Sequence, residues 1–168
     1  ANTAIITSGD ERDRDTAETA VTCHAPVVSK TTETYWNRDW DWTITKEVDG
    51  SYNLFAGDTV THGYKVTVDP TYTDSFWGVK GTITVTNSHP TEAMTLTSLT
   101  DLAGGISGAV TCPSLVVPAG GSLTCTYDTG AQDAPNANPF GKVNVATAVF
   151  ADANWTGEKA IEFSAAPT

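Results

Sequence analysis

The strongest constraint on this chain is the period-two alternation that begins at Tyr35 and runs nearly to its end. Along residues 40–48, Trp42, Ile44, Lys46 and Val48 share one face, while Asp41, Thr43, Thr45 and Glu47 share the other. That spacing belongs to a half-buried β-strand and not to a helix. Residues 62–69 repeat it with Tyr64, Val66 and Val68 facing inward, and residues 79–87 with Ile83 and Val85. Further strands are expected at 94–101, 110–112, 115–117, 122–127, 142–150 and 160–163. Turn signals fall between them at Asp49-Gly50, Ala56-Gly57-Asp58, Gly104-Gly105 and Ala119-Gly120-Gly121. No helical pattern of useful length separates the strands, which excludes parallel α/β folds. The expectation is an all-β, antiparallel sandwich over 35–168, one domain of ordinary size in a chain of 168 residues.

Residues 1–34 read differently, as an N-terminal arm. An apolar start at 3–7 can supply a short strand. The charged run from Asp10 to Asp15 is too polar for a core and suits a solvated crossing, and residues 10–21 have the composition of an extension or a short helix. An edge strand templates pairing with another chain. The arm is therefore expected to add a strand to a neighbouring subunit, making the partner a second copy of the chain or another surface protein; the alternative is an arm folded back to cap its own sandwich.

Charge narrows the partners. Nine Lys and Arg against 20 Asp and Glu give a net charge of -11, so phosphate backbones and anionic lipids are repelled and nucleic acid is excluded. Apolar runs fall far short of the roughly 20 residues of a membrane span, so no insertion is expected. Cys112 and Cys125 flank a loop rich in Gly and Pro, favouring a disulfide in an oxidising compartment and leaving Cys23 as an odd thiol. The chain starts at Ala1, as a mature secreted protein does after removal of a signal peptide, although trimming would look the same. The location expected is secreted, extracellular or cell-surface.

Several stretches taken in order resemble the immunoglobulin-like conserved-repeat domains of bacterial and archaeal surface proteins. They are GTITVTN at 81–87, LTSLTD at 96–101, Cys112-Pro113, VPAGG at 117–121, LTCTY at 123–127 and NVAT at 144–147. The resemblance spans roughly residues 40–150 and implies a structural extracellular module of a fibre, sheath or adhesin, without catalysis. In such domains an inward Lys is sometimes joined to an Asn on the last strand by an isopeptide bond, with an acid shuttling protons. The matching positions are Lys46, Asn144 and Asp101. A Lys46 at the end of a sheet could instead snorkel to water.

Other chemistry is weaker. His24, His62 and His89 stand apart in sequence with no metal-site spacing, and neither a nucleophile elbow nor a phosphate loop is present. Asp10, Asp13 and Asp15, and separately Asp39 and Asp41, could offer oxygens to Ca²⁺, but without the spacing of a calcium loop. Otherwise no cofactor is expected. Trp36, Trp40 and Trp42 share parity, with Trp77 and Trp155 elsewhere. Exposed Trp36 and Trp40 would form a platform for carbohydrate, whereas a core role for Trp42 with Trp36 and Trp40 over a sheet edge is the plainer reading.

Overall fold

The computed structural model of the chain describes residues 2–8, 11–17, 20–48 and 50–167. Among these residues there are twelve strands and no helix, so no helix is long and apolar enough to cross a membrane. Strands β1 (Asn2–Ser8) and β2 (Glu11–Ala17) pair antiparallel along their whole length as a separate hairpin. The stretch expected to be an extension or short helix is thus a strand, because cross-strand pairing with β1 satisfies its backbone. Strand β3 (Val27–Lys30) belongs to the main sheet, so the boundary drawn at residue 34 cuts through the sandwich.

Strands β4 (Glu33–Val48) and β5 (Tyr64–Thr86) form a long antiparallel pair, with residues 50–63 between them free of regular strand. The short β6 (Met94–Thr95) pairs with β9 (Val116–Val117). The rest are β7 (Ser98–Ala103), β8 (Ile106–Thr111), β10 (Ser122–Asp128), β11 (Val143–Val149) and β12 (Asn154–Ala160). Their order is β12-β11-β7-β8-β10-β5-β3, with β4 on the same edge of β5 as β3. Strand β8 turns the sheet into two layers, since residues 106–108 pair with β7 and residues 109–111 with β10. At the open side β12 comes back against β3. A Cβ on Gly157 would lie 2.4 Å from the Val28 carbonyl oxygen, so only glycine admits this approach. The result is sandwich-like and close to a barrel.

Inward positions follow the alternation on β10 (Leu123, Cys125, Tyr127) and on β11 (Asn144, Ala146, Ala148). Ile83 and Val85 are fully buried, each contributing about 1.5–3 kcal/mol relative to exposure. The disulfide joins Cys112, just past β8, to Cys125 on β10, while Cys23 is an exposed free thiol.

The long pair breaks the expectation in another way. What reads as two strands at 62–69 and 79–87 is one strand of 23 residues, whose parity changes at a bulge between Tyr35 and Asn37. Phe76 takes up the change with φ of +55°, a left-handed backbone that non-glycine residues rarely adopt. Beyond the bulge β4 and β5 pair only with each other, as a ribbon running past the sandwich. Trp42, Ile44, Val48, Tyr64, Val66 and Val68 are consequently exposed rather than inward.

Two outcomes follow. Replacing Cys112 and Cys125 by Ser opens a loop of about 14 residues and should cost about 3 kcal/mol in chemical denaturation, judged from loop-closure entropy. Burial, with a hydrogen bond to Asp128, pushes the Tyr35 phenol up to about 12 from 10.0. The native state therefore keeps a proton that the unfolded chain releases. This stabilisation is complete below pH 10 and is lost as pH rises through 10 towards 12. Tyr35→Phe should flatten the fall in melting temperature over that window.

Candidate functional site: a buried Lys30, Asp101 and Asn144 cluster

Three inward positions on three strands carry polar side chains where the alternation demands apolar ones. Lys30 follows Val28 on the inner face of β3, Asp101 lies between Leu99 and Ala103 on β7, and Asn144 precedes Ala146 and Ala148 on β11. The register sets Asp101 opposite Ala146, and Asn144 opposite Ala103, so Asp101 and Asn144 are diagonal neighbours on one face. Lys30 reaches across from β3, which is hydrogen-bonded on β5, and its Nζ donates to Asp101 Oδ1. Both side chains are completely shielded from water, and Asn144 is fully buried as well.

The surroundings keep this cluster in place. The Lys30 ammonium lies 4.3 Å from the centre of the Tyr127 ring, a cation–π distance. The Tyr127 hydroxyl donates to the carbonyl oxygen of Thr31 at 2.7 Å, which pins the chain just after Lys30. Gly108, opposite Asp101 on β8, leaves room for the carboxylate, since a Cβ there would stand 3.0 Å from Asp101 Oδ2.

Hydrogen bonding in the cluster is incomplete. Among the described residues Asp101 Oδ2 and both Oδ1 and Nδ2 of Asn144 are buried without a hydrogen bond of ordinary geometry, although Asn144 lies near enough to Asp101 and Tyr127 to favour their charged forms. Unpartnered buried polar atoms are rare and costly. Burial lowers the Lys30 amine from its ordinary value and raises the Asp101 carboxyl from its own, in each case against the pull of the other. Burial thus favours the neutral form of each group, and the ion pair between them opposes it. Lys30 and Asn144 reach the same buried carboxyl, Asp101, from two different strands.

Of the expected trio, Asp101 and Asn144 are brought together and Lys46 is not. Lys46 is exposed on the ribbon, 3.9 Å from the centre of the Tyr64 ring. Its face of β4 has no second layer above it, and parity alone cannot tell a covered face from a bare one. Lys30 falls in the stretch that composition assigns to the arm; its signal in the sequence is the pair of β-branched residues Val27 and Val28 after Pro26, with Lys30 sharing the parity of Val28.

The other candidates divide. Trp36 is 2% exposed and stacks on Trp77 at 5.1 Å, so it cannot form a sugar platform with Trp40. Trp40 and Trp42 are both exposed and stack on each other at 5.9 Å, so Trp42 is not core. Asp39 and Asp41 are exposed on the opposite face of the ribbon; Asp13 and Asp15 hold β2 positions opposite Ile6 and Ala4, and Asp10 lies outside the described residues. Among the described residues no group of three His, Cys, Asp or Glu could hold a metal ion. His24 and His89, remote in sequence, meet edge to face at 4.9 Å, and His62 packs similarly on Tyr52.

No family model matches this chain, and neither does any curated protein or solved structure.

Removing one member of a buried ion pair leaves the other uncompensated. Asp101→Ala should destabilise the chain by about 3–5 kcal/mol, and adding Lys30→Met should recover part of the loss. A double-mutant cycle by chemical denaturation measures both.

Proposed function

We propose that this chain is an immunoglobulin-like structural module of a secreted or cell-surface assembly, such as a fibre, sheath or adhesin, and that it is not an enzyme. The observation carrying this reading is the buried Lys30, Asp101 and Asn144 cluster, which joins three strands at positions where an ordinary sandwich has only apolar contacts. The disulfide supports an oxidising location. Assembly proceeds by strand addition to a second copy or another surface protein, with the β1–β2 hairpin in the role expected of the arm; this hairpin forms a sheet separate from the sandwich.

The cluster serves such a module by closing into a covalent bridge. The neutral Lys30 Nζ attacks the Asn144 side-chain carbonyl carbon, and Asp101 lends its acid proton to the carbonyl oxygen. As the tetrahedral centre collapses, a proton from Nζ passes through Asp101 to the departing nitrogen. The C–N bond to Nζ replaces the bond to Nδ2, and one ammonia leaves. Nothing is oxidised or reduced, and no cofactor takes part. A bond from β3 to β11 lets load pass across the sandwich without unzipping its strands.

Intact mass under denaturing conditions tests the bridge. The expected mass, after allowing for the disulfide, is one ammonia below that of the sequence, and Lys30→Arg or Asn144→Ala should abolish the deficit. A deficit of one water would place the amide on Asp101 instead, and a full mass would remove the bridge.

A further inference from the structure

The ribbon formed by residues 38–48 and 64–74 sorts its side chains by face, with Lys46 and the Arg38–Asp74 pair the charged groups on the apolar side. Trp40, Trp42 and Ile44 lie on the same face as Tyr72, Pro70 and Val68, their cross-strand partners. Val66, Tyr64 and Val48 extend that face towards the loop. On the other face are Asp39, Asp41, Glu47 and Asp69, with Lys65 among threonines. This is the pattern of a sheet with one buried side, yet Ile44 is 67% exposed, and Trp42 and Val66 are each 57% exposed.

The base of the ribbon is held firmly. The Arg38 guanidinium makes two hydrogen bonds to Asp74, at 2.6 and 2.8 Å. It stacks 3.9 Å from the centre of the Tyr72 ring and 4.8 Å from that of Trp36, so a continuous stack leads from the core onto the apolar face. Further out the ribbon is supported by its own ladder and by ring contacts within its apolar face, and an isolated two-stranded ribbon is only marginally stable in water.

We propose that the apolar face of the ribbon pairs with the same face of a second copy of this chain, two ribbons stacking as the layers of a small sandwich. Area and charge both select this occupant. A whole aromatic side chain carries about 150–250 Å² and the apolar residues here are about half exposed, so the face offers roughly 800 Å², the share of one partner in a standard stable interface. That exceeds the largest apolar patch of a typical monomer, about 300–600 Å². At a net charge of -11, two copies repel each other over most of their surfaces. On this face the one carboxylate, Asp74, is paired with Arg38, and Lys46 packs on Tyr64, while the acids of the ribbon point away. A two-fold axis through the face pairs it with itself, as an isologous dimer requires.

The experiment is sedimentation velocity on the full chain over a range of concentrations, with tryptophan emission followed in parallel. The expected result is a reversible dimer whose formation shifts the emission to the blue as Trp40 and Trp42 leave water. Ile44→Asp combined with Val66→Asp should weaken dimerisation by more than about a hundredfold, since each loses the burial of an aliphatic side chain. Circular dichroism should show this variant still folded, both positions being outside the core. Asp41→Asn, on the opposite face, should leave the dimer unchanged or slightly tighter. A full-length chain that stays monomeric, or a double variant that associates as strongly as the parent, overturns the proposal. So does a soluble polysaccharide that quenches ribbon tryptophans in monomeric protein, which would make the occupant carbohydrate. The emission shift and the response to the ribbon variant are insensitive to the Lys30 bridge and to assembly through β1 and β2, so they separate the ribbon dimer from both.

Discussion

The meeting of Lys30 with Asp101 is the contact around which the sandwich is organised. A buried ammonium without a partner is intolerable in so small a core. The position of β3 on β5 must therefore deliver Lys30 to Asp101, and any slip by one residue would turn Lys30 out of the core. Tyr127 covers the amine and holds the chain after it, while Gly108 makes space for the acid. Each neighbour has a residue type that the cluster explains. Polar groups of this kind cost stability relative to well-packed apolar ones, so their presence points to chemistry or to fixing a single arrangement of strands.

Two physical regimes coexist in β5. Its C-terminal half lies between β10 and β3 and is fixed by burial on one side and ladder hydrogen bonds on both edges. Its N-terminal half has β4 as its one neighbouring strand, and apart from the hydrogen bonds of Asp74 with Asn136 its geometry follows from cross-strand pairs. The bulge at Trp36 and Phe76 separates the regimes and reverses the parity of β5, which lets Trp77, Val79 and Ile83 face the core while Tyr64, Val66 and Val68 lie on the ribbon's apolar face.

Sequence patterning showed the sandwich better than what extends beyond it. Strands β7, β10 and β11 are legible because each alternates strictly between a covered and a wet face, and the cysteines are legible because they flank a turn. The last strand reads as 160–163 in the sequence and is Asn154–Ala160 in the structure, because Asn154–Ala160 has no apolar alternation and is held by its ladder to β11. The ribbon was misread because an amphipathic strand looks the same whether or not a second layer covers it. Asp101 and Asn144 stood out through the resemblance, but their amine did not, as Lys30 sits in a four-residue strand too short for any periodicity to declare itself.

The continuity of β5 has a mechanical meaning. At about 3.3 Å per residue its 23 residues span at most roughly 75 Å, shortened by the bend at Phe76, as one covalent tie from the ribbon's tip to the far side of the core. Tension applied along that tie loads the ladders to β10 and β3 in shear, so many hydrogen bonds must fail together. A pull perpendicular to it would peel them one at a time. The same molecule is thus stiff along the axis of its longest strand and compliant across it.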